Sequence, residues 1–259
     1  MADAHGTETA MAERVEVRAF GSGAPIWLFH SLLADAGSCL KLAERLAANH
    51  RVLVPSLPGF GLSAQAGPTL DAVADRMADA MHTEQTPAIL FGNGYGSFVA
   101  LLLALRHPNL VHRLVLAGTG AAFSEPGRAA FRNMAQAAST SGLEAIAETA
   151  MRRLFAPDFQ AAHPGLLAER RAHFLATDPA VFTAACEALA TLDLRDAVPT
   201  LHTPTLIIVG TQDEATPPAM ARELAALLPD ASLLELEGCA HVPQLQSPDQ
   251  VAEAMRGFL

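Results

Sequence analysis

The chain has 259 residues, 51% of them hydrophobic, and a formal net charge of −10. That length fits one large domain, or one domain with an inserted sub-domain, and supplies enough apolar side chains for a sizeable core. The acidic balance repels phosphate at long range and argues against a nucleic-acid partner, while each apolar run is cut by Pro, Gly or charge before it reaches the length of a membrane span.

The first residues, MADAHGTETAMAERVEV, are polar and acidic, with neither a cationic nor an apolar leader region, so a secreted protein is not expected. Cys39, Cys186 and Cys239 are scattered and form no CxxC pair. A disulfide framework or a zinc site is therefore not expected, and a reducing cytoplasm is the simpler setting, with no metal or cofactor. Arg152, Arg153, Arg170 and Arg171 read as solvated helix faces in preference to an anion site.

VEVRAF (15–20) alternates polar and apolar residues and reads as a strand on the edge side of a sheet. PIWLFH (25–30), RVLVPS (51–56), PAILFG (87–92), HRLVLAG (112–118), PTLIIVG (204–210) and ASLLELEG (231–238) are short, continuously apolar runs. Such runs belong to parallel strands covered on both faces. Helical patterns over 40–50, 70–82, 96–108, 219–229 and 249–259 alternate with them. The alternation predicts an α/β fold with a doubly wound, mostly parallel sheet. Residues 121–199 carry no convincing strand, only Ala-, Arg- and Leu-rich helical pattern. They read as a helical cap, counted between the sixth and seventh strands, inserted into a core made of residues 1–120 and 200–259.

The stretch FGNGYGS (91–97) sits where strand PAILF turns into the helix that follows. A sharp strand-to-helix turn lifts its central residue above the sheet's carboxyl edge, at the positive end of a helix. Here that residue is Gly94, and Gly92 and Gly96 permit the close approach of strand and helix. Asp213 follows strand PTLIIVG, and His241 follows strand ASLLELEG. Both lie at strand carboxyl ends, where open α/β sheets place their ligand sites. The chain order elbow, acid, base is that of Ser-His-Asp hydrolases of this layout. The loop LFHSLLAD (28–35), counted after a third strand, and the turn at 94 point to the amides of Leu32 and Tyr95 as oxyanion donors.

With these elements in place, the chain resembles the α/β-hydrolase superfamily and, within it, the 3-oxoadipate enol-lactonases. The resemblance spans nearly the whole chain and is carried by HSLLAD, VPSLPGFGLS, GNGYGSFVALLLALRHP, the cap stretch FAPDFQAAHPGL…ACEALATLDLRD, TPTLIIVGTQDEATPP and GCAHVPQLQSPDQ. It implies that Asp213 is the triad acid and His241 the base, and that Gly94 stands where the nucleophilic serine is found. Three further departures are Ser56 in place of an aspartate, Leu33 in place of an oxyanion-loop glycine, and Cys39 near a position where relatives often carry tryptophan.

Each residue has a plainer role to be weighed. His241 reads as a base in preference to a core histidine, because it follows the last strand. Asp213 has a plainer reading as the cap of the next helix, but a base needs a partner to hold its tautomer. His30 reads as a strand end bracing the oxyanion loop, and it is grouped with Ser31 and Cys39 as candidate pocket residues. Ser97 faces helix–sheet packing. Ser31 and Cys39 are nearer substitutes for the missing nucleophile, but neither lies on the strained turn and no base is placed for them by sequence.

Loss of a serine nucleophile removes about a millionfold in turnover and leaves about 10³–10⁴ over water. On that basis acyl-enzyme hydrolysis of ordinary esters is excluded. General-base catalysis by a positioned histidine, worth about 10²–10⁴, is separable. The expected function is an enzyme acting on a small carbonyl or lactone metabolite through a His-Asp base and an oxyanion hole. The reaction is either hydrolysis by a water held beside Gly94, or lyase- or isomerase-type proton transfer. The alternatives are an inactive homologue that binds a small ligand or partner, and a Ser-to-Gly variant of an enol-lactonase. Substrate identity and oligomeric state are not legible.

Overall fold

The computed structural model of the protein describes residues 14–84 and 86–259. The segment on which the argument against secretion rests falls mostly outside them. Seven strands are β1 (Val17–Phe20), β2 (Pro25–Phe29), β3 (Arg51–Pro55), β4 (Ala88–Asn93), β5 (Val111–Ala117), β6 (Thr205–Gly210) and β7 (Ala231–Leu236). They form one sheet in the order β1-β3-β2-β4-β5-β6-β7. Only β1 runs antiparallel, paired with β3 at the sheet edge.

The uninterrupted apolarity of the inner strands has a direct cause. Trp27, Phe29, Leu53 and Leu90 enter one buried cluster, while Ile26, Leu28, Val52 and Phe91 enter the cluster on the opposite face. With alternate side chains buried on both sides, no position is left for a polar residue.

Outside the insertion, the helices are α1 (Leu40–Leu46), α2 (Leu70–Met81) and α3 (Tyr95–Arg106) before it, and α9 (Pro218–Leu227), α10 (Pro243–Gln246) and α11 (Pro248–Phe258) after it. Five helices fill the insertion: α4 (Glu125–Ser141), α5 (Glu144–Leu154), α6 (Pro157–Ala162), α7 (Pro164–Leu175) and α8 (Pro179–Thr191). An isolated antiparallel bridge between Ala122 and Asp193 ties the two ends of this segment together. Its buried side chains, among them Ile146, Leu154, Phe174 and Phe182, join the same cluster as Phe98 and Val99 of α3. The insertion therefore packs onto the core through continuous apolar contact.

Two positional counts need correction. The insertion lies between β5 and β6, because five strands precede it and not six. For the same reason the HSLLAD loop follows the second strand, β2.

The strand order positions the site. From β2 the chain steps to β3 on one side, then returns to place β4 on the other side of β2. The crevice between β2 and β4 is thus a topological switch point, where open α/β sheets admit ligands. The parallel register pairs Phe29 with Gly92. Two residues further along each chain, Ser31 comes opposite Gly94.

Candidate active site

A cavity of about 290 Å³ opens at the carboxyl edge of the sheet, beneath the inserted helices. Its floor includes Ser31, Leu32, Gly94, Tyr95 and His241. Its walls are largely apolar, with Phe98, Phe123, Phe131, Met134 and Leu189 among them.

Gly94 has φ +52° and ψ −119°, a backbone conformation that side-chain-bearing residues adopt only under strain. Its amide donates to the Ala117 carbonyl at 2.9 Å, and its carbonyl accepts from Ser97 Oγ at 2.6 Å. Ser97 is thereby turned into the helix–sheet packing and away from the cavity. Gly96 allows α3 to start close against β2: a Cβ there would lie 2.5 Å from the Phe29 carbonyl oxygen. Its amide instead donates to the His30 carbonyl at 3.0 Å. The turn is held by backbone hydrogen bonds on both sides of Gly94.

His241 and Asp213 are buried together. His241 Nδ1 donates to Asp213 Oδ2 at 2.9 Å. The same carboxylate accepts from the backbone amides of Ala215 and Thr216 at 2.8 and 2.9 Å and from Thr216 Oγ1 at 2.7 Å. Asp213 does not cap the next helix, which begins at Pro218 with Pro217 in the capping position. Because Nδ1 carries the proton toward the carboxylate, Nε2 presents its lone pair to the cavity. A Cβ built on Gly94 would lie 2.6 Å from that Nε2. Acid, base and elbow are therefore in register.

Ser31 Oγ donates to His241 Nε2 at 3.3 Å. The structure thus brings an imidazole nitrogen within hydrogen-bond reach of Ser31, a neighbour that the sequence does not reveal. A Cβ on Gly94 would also meet Ser31 Oγ at 2.5 Å. The space expected to hold a water beside Gly94 is accordingly shared with the Ser31 hydroxyl.

The amides of Leu32 and Tyr95 donate to no backbone carbonyl among the described residues. Tyr95 opens α3, so its N–H is one of the helix's unsatisfied donors, at the positive end of the dipole. Burial pushes the Tyr95 phenol above its ordinary value, so the hydroxyl remains a neutral wall group.

His30 and Cys39 do not line the cavity. His30 is fully buried beneath the loop; its Nδ1 donates to the Ser31 carbonyl at 2.9 Å and its Nε2 accepts from the Leu57 amide at 3.1 Å. Burial lowers its pKa. Cys39 points into the cluster on the other face of the sheet, with Ile26 and Leu28, and burial raises its thiol to about 12. Each side chain faces packing: His30 lies under the loop while the adjacent Ser31 faces the crevice, and Cys39 lies on a turn against the far face of the sheet.

Other residues become visible only in the fold. Asn93 Nδ2 donates to the His241 carbonyl at 2.7 Å, and Gln244 Nε2 donates to Asn93 Oδ1 at 3.0 Å, so the backbone carrying the base is clamped. Thr216 sits between acid and base, with Oγ1 3.2 Å from His241 Nδ1.

The arginines also need correction. Arg152 is exposed, and Arg171 is half-buried and pairs with Glu144. Arg170 is buried and pairs with Asp35 at 2.8 Å. Arg153 reaches the cavity wall, and its Nε is buried without a hydrogen-bond partner among the described residues. No group of His, Cys, Asp and Glu among the described residues is arranged to hold a metal ion. No helix among them is long and apolar enough to cross a membrane.

A family model for alpha/beta hydrolases matches residues 4–254. A pimeloyl-[acyl-carrier protein] methyl ester esterase of Aromatoleum aromaticum is 35% identical over 229 residues, covering 82% of this chain and 88% of the relative. Among solved structures, an enol-lactonase from Burkholderia xenovorans LB400 superposes with a TM-score of 0.89 at 29% identity, over 94% of this chain and 95% of that one. A thermophilic esterase from Thermogutta terrifontis gives 0.86 at 27% identity, over 94% and 92%.

Proposed function

Since this chain belongs to the alpha/beta hydrolase family, we propose that it hydrolyses a small ester, lactone or comparably activated carbonyl compound without a nucleophile at the elbow. His241, oriented by Asp213, takes the proton from the attacking O–H. The Leu32 and Tyr95 amides face the oxygen on which negative charge develops, and position 94 takes no covalent part. Residues 121–199 act as a cap over the site. The observation that carries this reading is the alignment of His241 Nε2 with the direction of a side chain at the elbow, 2.6 Å from a Cβ on Gly94.

The apolar walls favour a substrate with a hydrocarbon body. Arg153, which shares the cavity wall with Glu214, favours an acceptor group on the substrate, since a buried guanidinium nitrogen without a partner is costly until one arrives. Lyase or isomerase chemistry would use the same base. Hydrolysis is favoured because the chain is similar to a methyl ester esterase, a thermophilic esterase and an enol-lactonase.

Replacing His241 by Ala is expected to lower kcat/KM for aryl esters and enol-lactones by about 10²–10⁴, with secondary structure unchanged by circular dichroism. Undiminished turnover of every accepted substrate would refute the assignment. Calorimetric binding of a substrate analogue that is indifferent to the substitution, with no turnover by either protein, would favour a ligand-binding role.

A further inference from the structure

We propose that Ser31, on the loop after β2, is the nucleophile of this site and replaces the serine absent from the elbow. This deepens the functional reading above and rests on it. The sheet register supplies the first argument. Phe29 pairs with Gly92 in adjacent parallel strands, so the residue two positions beyond Phe29 emerges beside the residue two positions beyond Gly92. Ser31 and Gly94 are thus neighbours at one crevice by backbone geometry.

The second argument is occupancy. A Cβ on Gly94 would lie 2.5 Å from Ser31 Oγ, closer than non-bonded atoms tolerate, and in tight contact with Ser31 Cβ at 3.1 Å. The Ser31 side chain therefore fills the space that an elbow side chain would need. Glycine at 94 and serine at 31 are one steric solution, in which the hydroxyl reaches the base from the neighbouring strand.

The third argument is activation. Ser31 Oγ lies 3.3 Å from His241 Nε2, and Asp213 Oδ2 lies 2.9 Å from Nδ1 of the same ring. Nucleophile, base and orienter thus form a connected relay, the arrangement that activates a hydroxyl at neutral pH. The oxyanion donors keep their logic as well. In an elbow enzyme one donor is the amide following the nucleophile. Here the amide following Ser31 is that of Leu32, and Tyr95 supplies the other from across the crevice. The main-chain carbonyl of Ser31 accepts from His30 Nδ1 at 2.9 Å, which fixes the loop from below.

In the acylation step the Ser31 Oγ–C bond forms at the substrate carbonyl carbon, and His241 Nε2 takes the hydroxyl proton. The carbonyl π pair moves to oxygen, facing the two amides. Collapse of this adduct expels the alcohol or enol oxygen, which takes the proton from His241. Water then attacks the Ser31 ester, His241 takes a proton from it, and collapse returns the proton to Ser31 Oγ and releases the carboxylic acid. No oxidant, reductant or further reactant is needed. The exclusion of an acyl-enzyme that follows from Gly94 therefore applies to position 94 and not to the site.

The test is to treat the protein with a fluorophosphonate and locate the adduct by peptide mass spectrometry, alongside turnover of p-nitrophenyl acetate. The expected result is one phosphonyl group on Ser31, absent from Ser31→Ala and from His241→Ala, with turnover reduced at least about 100-fold in Ser31→Ala. The substitution removes one oxygen, and an unchanged melting temperature verifies folding. The adduct on the unaltered protein gives a readout that needs no variant. An adduct on another residue, or no adduct at all, overturns the proposal. Turnover retained by Ser31→Ala but lost by His241→Ala also overturns it, leaving water as nucleophile and the proposed function intact. If both variants keep full turnover, the His241 assignment fails together with Ser31.

Discussion

Two histidines flank this crevice, His30 below the loop after β2 and His241 on the loop after β7, and both are almost completely buried. His30 spends both ring nitrogens on backbone groups, the Ser31 carbonyl and the Leu57 amide. His241 commits only Nδ1, to Asp213, and turns Nε2 toward the cavity and Ser31. The difference lies in where the second nitrogen points, not in depth of burial. A ring with two backbone partners is held in one neutral tautomer and works as a brace. A ring with one carboxylate partner and one nitrogen at a cavity can receive a proton and has its cation stabilised at once.

The sharpest way to break that contrast is to remove the partner that distinguishes the two rings. Asp213→Asn keeps the size of the side chain but no longer selects the tautomer with Nε2 unprotonated. Its expected effect is a loss of about 10³–10⁴ in kcat with little change in KM, measured by steady-state hydrolysis at pH 7. A loss confined to KM would mean that Asp213 shapes binding and does not orient the base.

The brace should show its role in stability. His30→Asn leaves the Leu57 amide or the Ser31 carbonyl without its partner and is expected to cost about 1–3 kcal/mol, measured by denaturant unfolding. Burial lowers the folded pKa of His30. Between that value and the unfolded value near ~6.5, the unfolded chain binds more protons than the folded one. Stability is therefore fully present above pH ~6.5 and falls as pH drops below it. His30→Asn should flatten this acid limb; an unchanged limb would place its origin in other groups.

Much of this architecture was legible in the sequence. The inner strands announce themselves as short apolar runs because both sheet faces are covered, and Asp213 and His241 stand out because each directly follows such a run. What escaped depends on side-chain direction and strand neighbourhood. His30 and Ser31 are adjacent in the chain, yet one faces the packing and the other the crevice, and the pattern of letters treats them alike. That Ser31 meets Gly94 follows from β2 and β4 being neighbours in parallel register, a fact of pairing and not of local composition. Arg152 and Arg153 lie about 100° apart around one helix, so one enters solvent and the other the cavity wall, although both read as surface charge. Cys39 escapes for a similar reason: it lies on a short turn whose buried side is the far face of the sheet.

The mildest intervention tests the steric exclusion between positions 31 and 94. Gly94→Ser puts a side chain on a backbone with φ +52° and brings its Cβ within 2.5 Å of Ser31 Oγ and 2.6 Å of His241 Nε2. The turn and the crowding together should cost about 1–3 kcal/mol. Ser31→Gly opens that space, so the double variant should recover part of the loss, with a coupling of about 0.5–3 kcal/mol in a thermal-unfolding cycle. The kinetics should follow the same logic. Gly94→Ser alone leaves two hydroxyls competing for one Nε2. Gly94→Ser with Ser31→Gly returns a single hydroxyl to the elbow, directly before the Tyr95 amide, and is expected to hydrolyse activated aryl esters faster than Ser31→Gly alone. Strict additivity of the two stability changes would show that the side chains do not share the space, and would separate the glycine at 94 from the serine at 31.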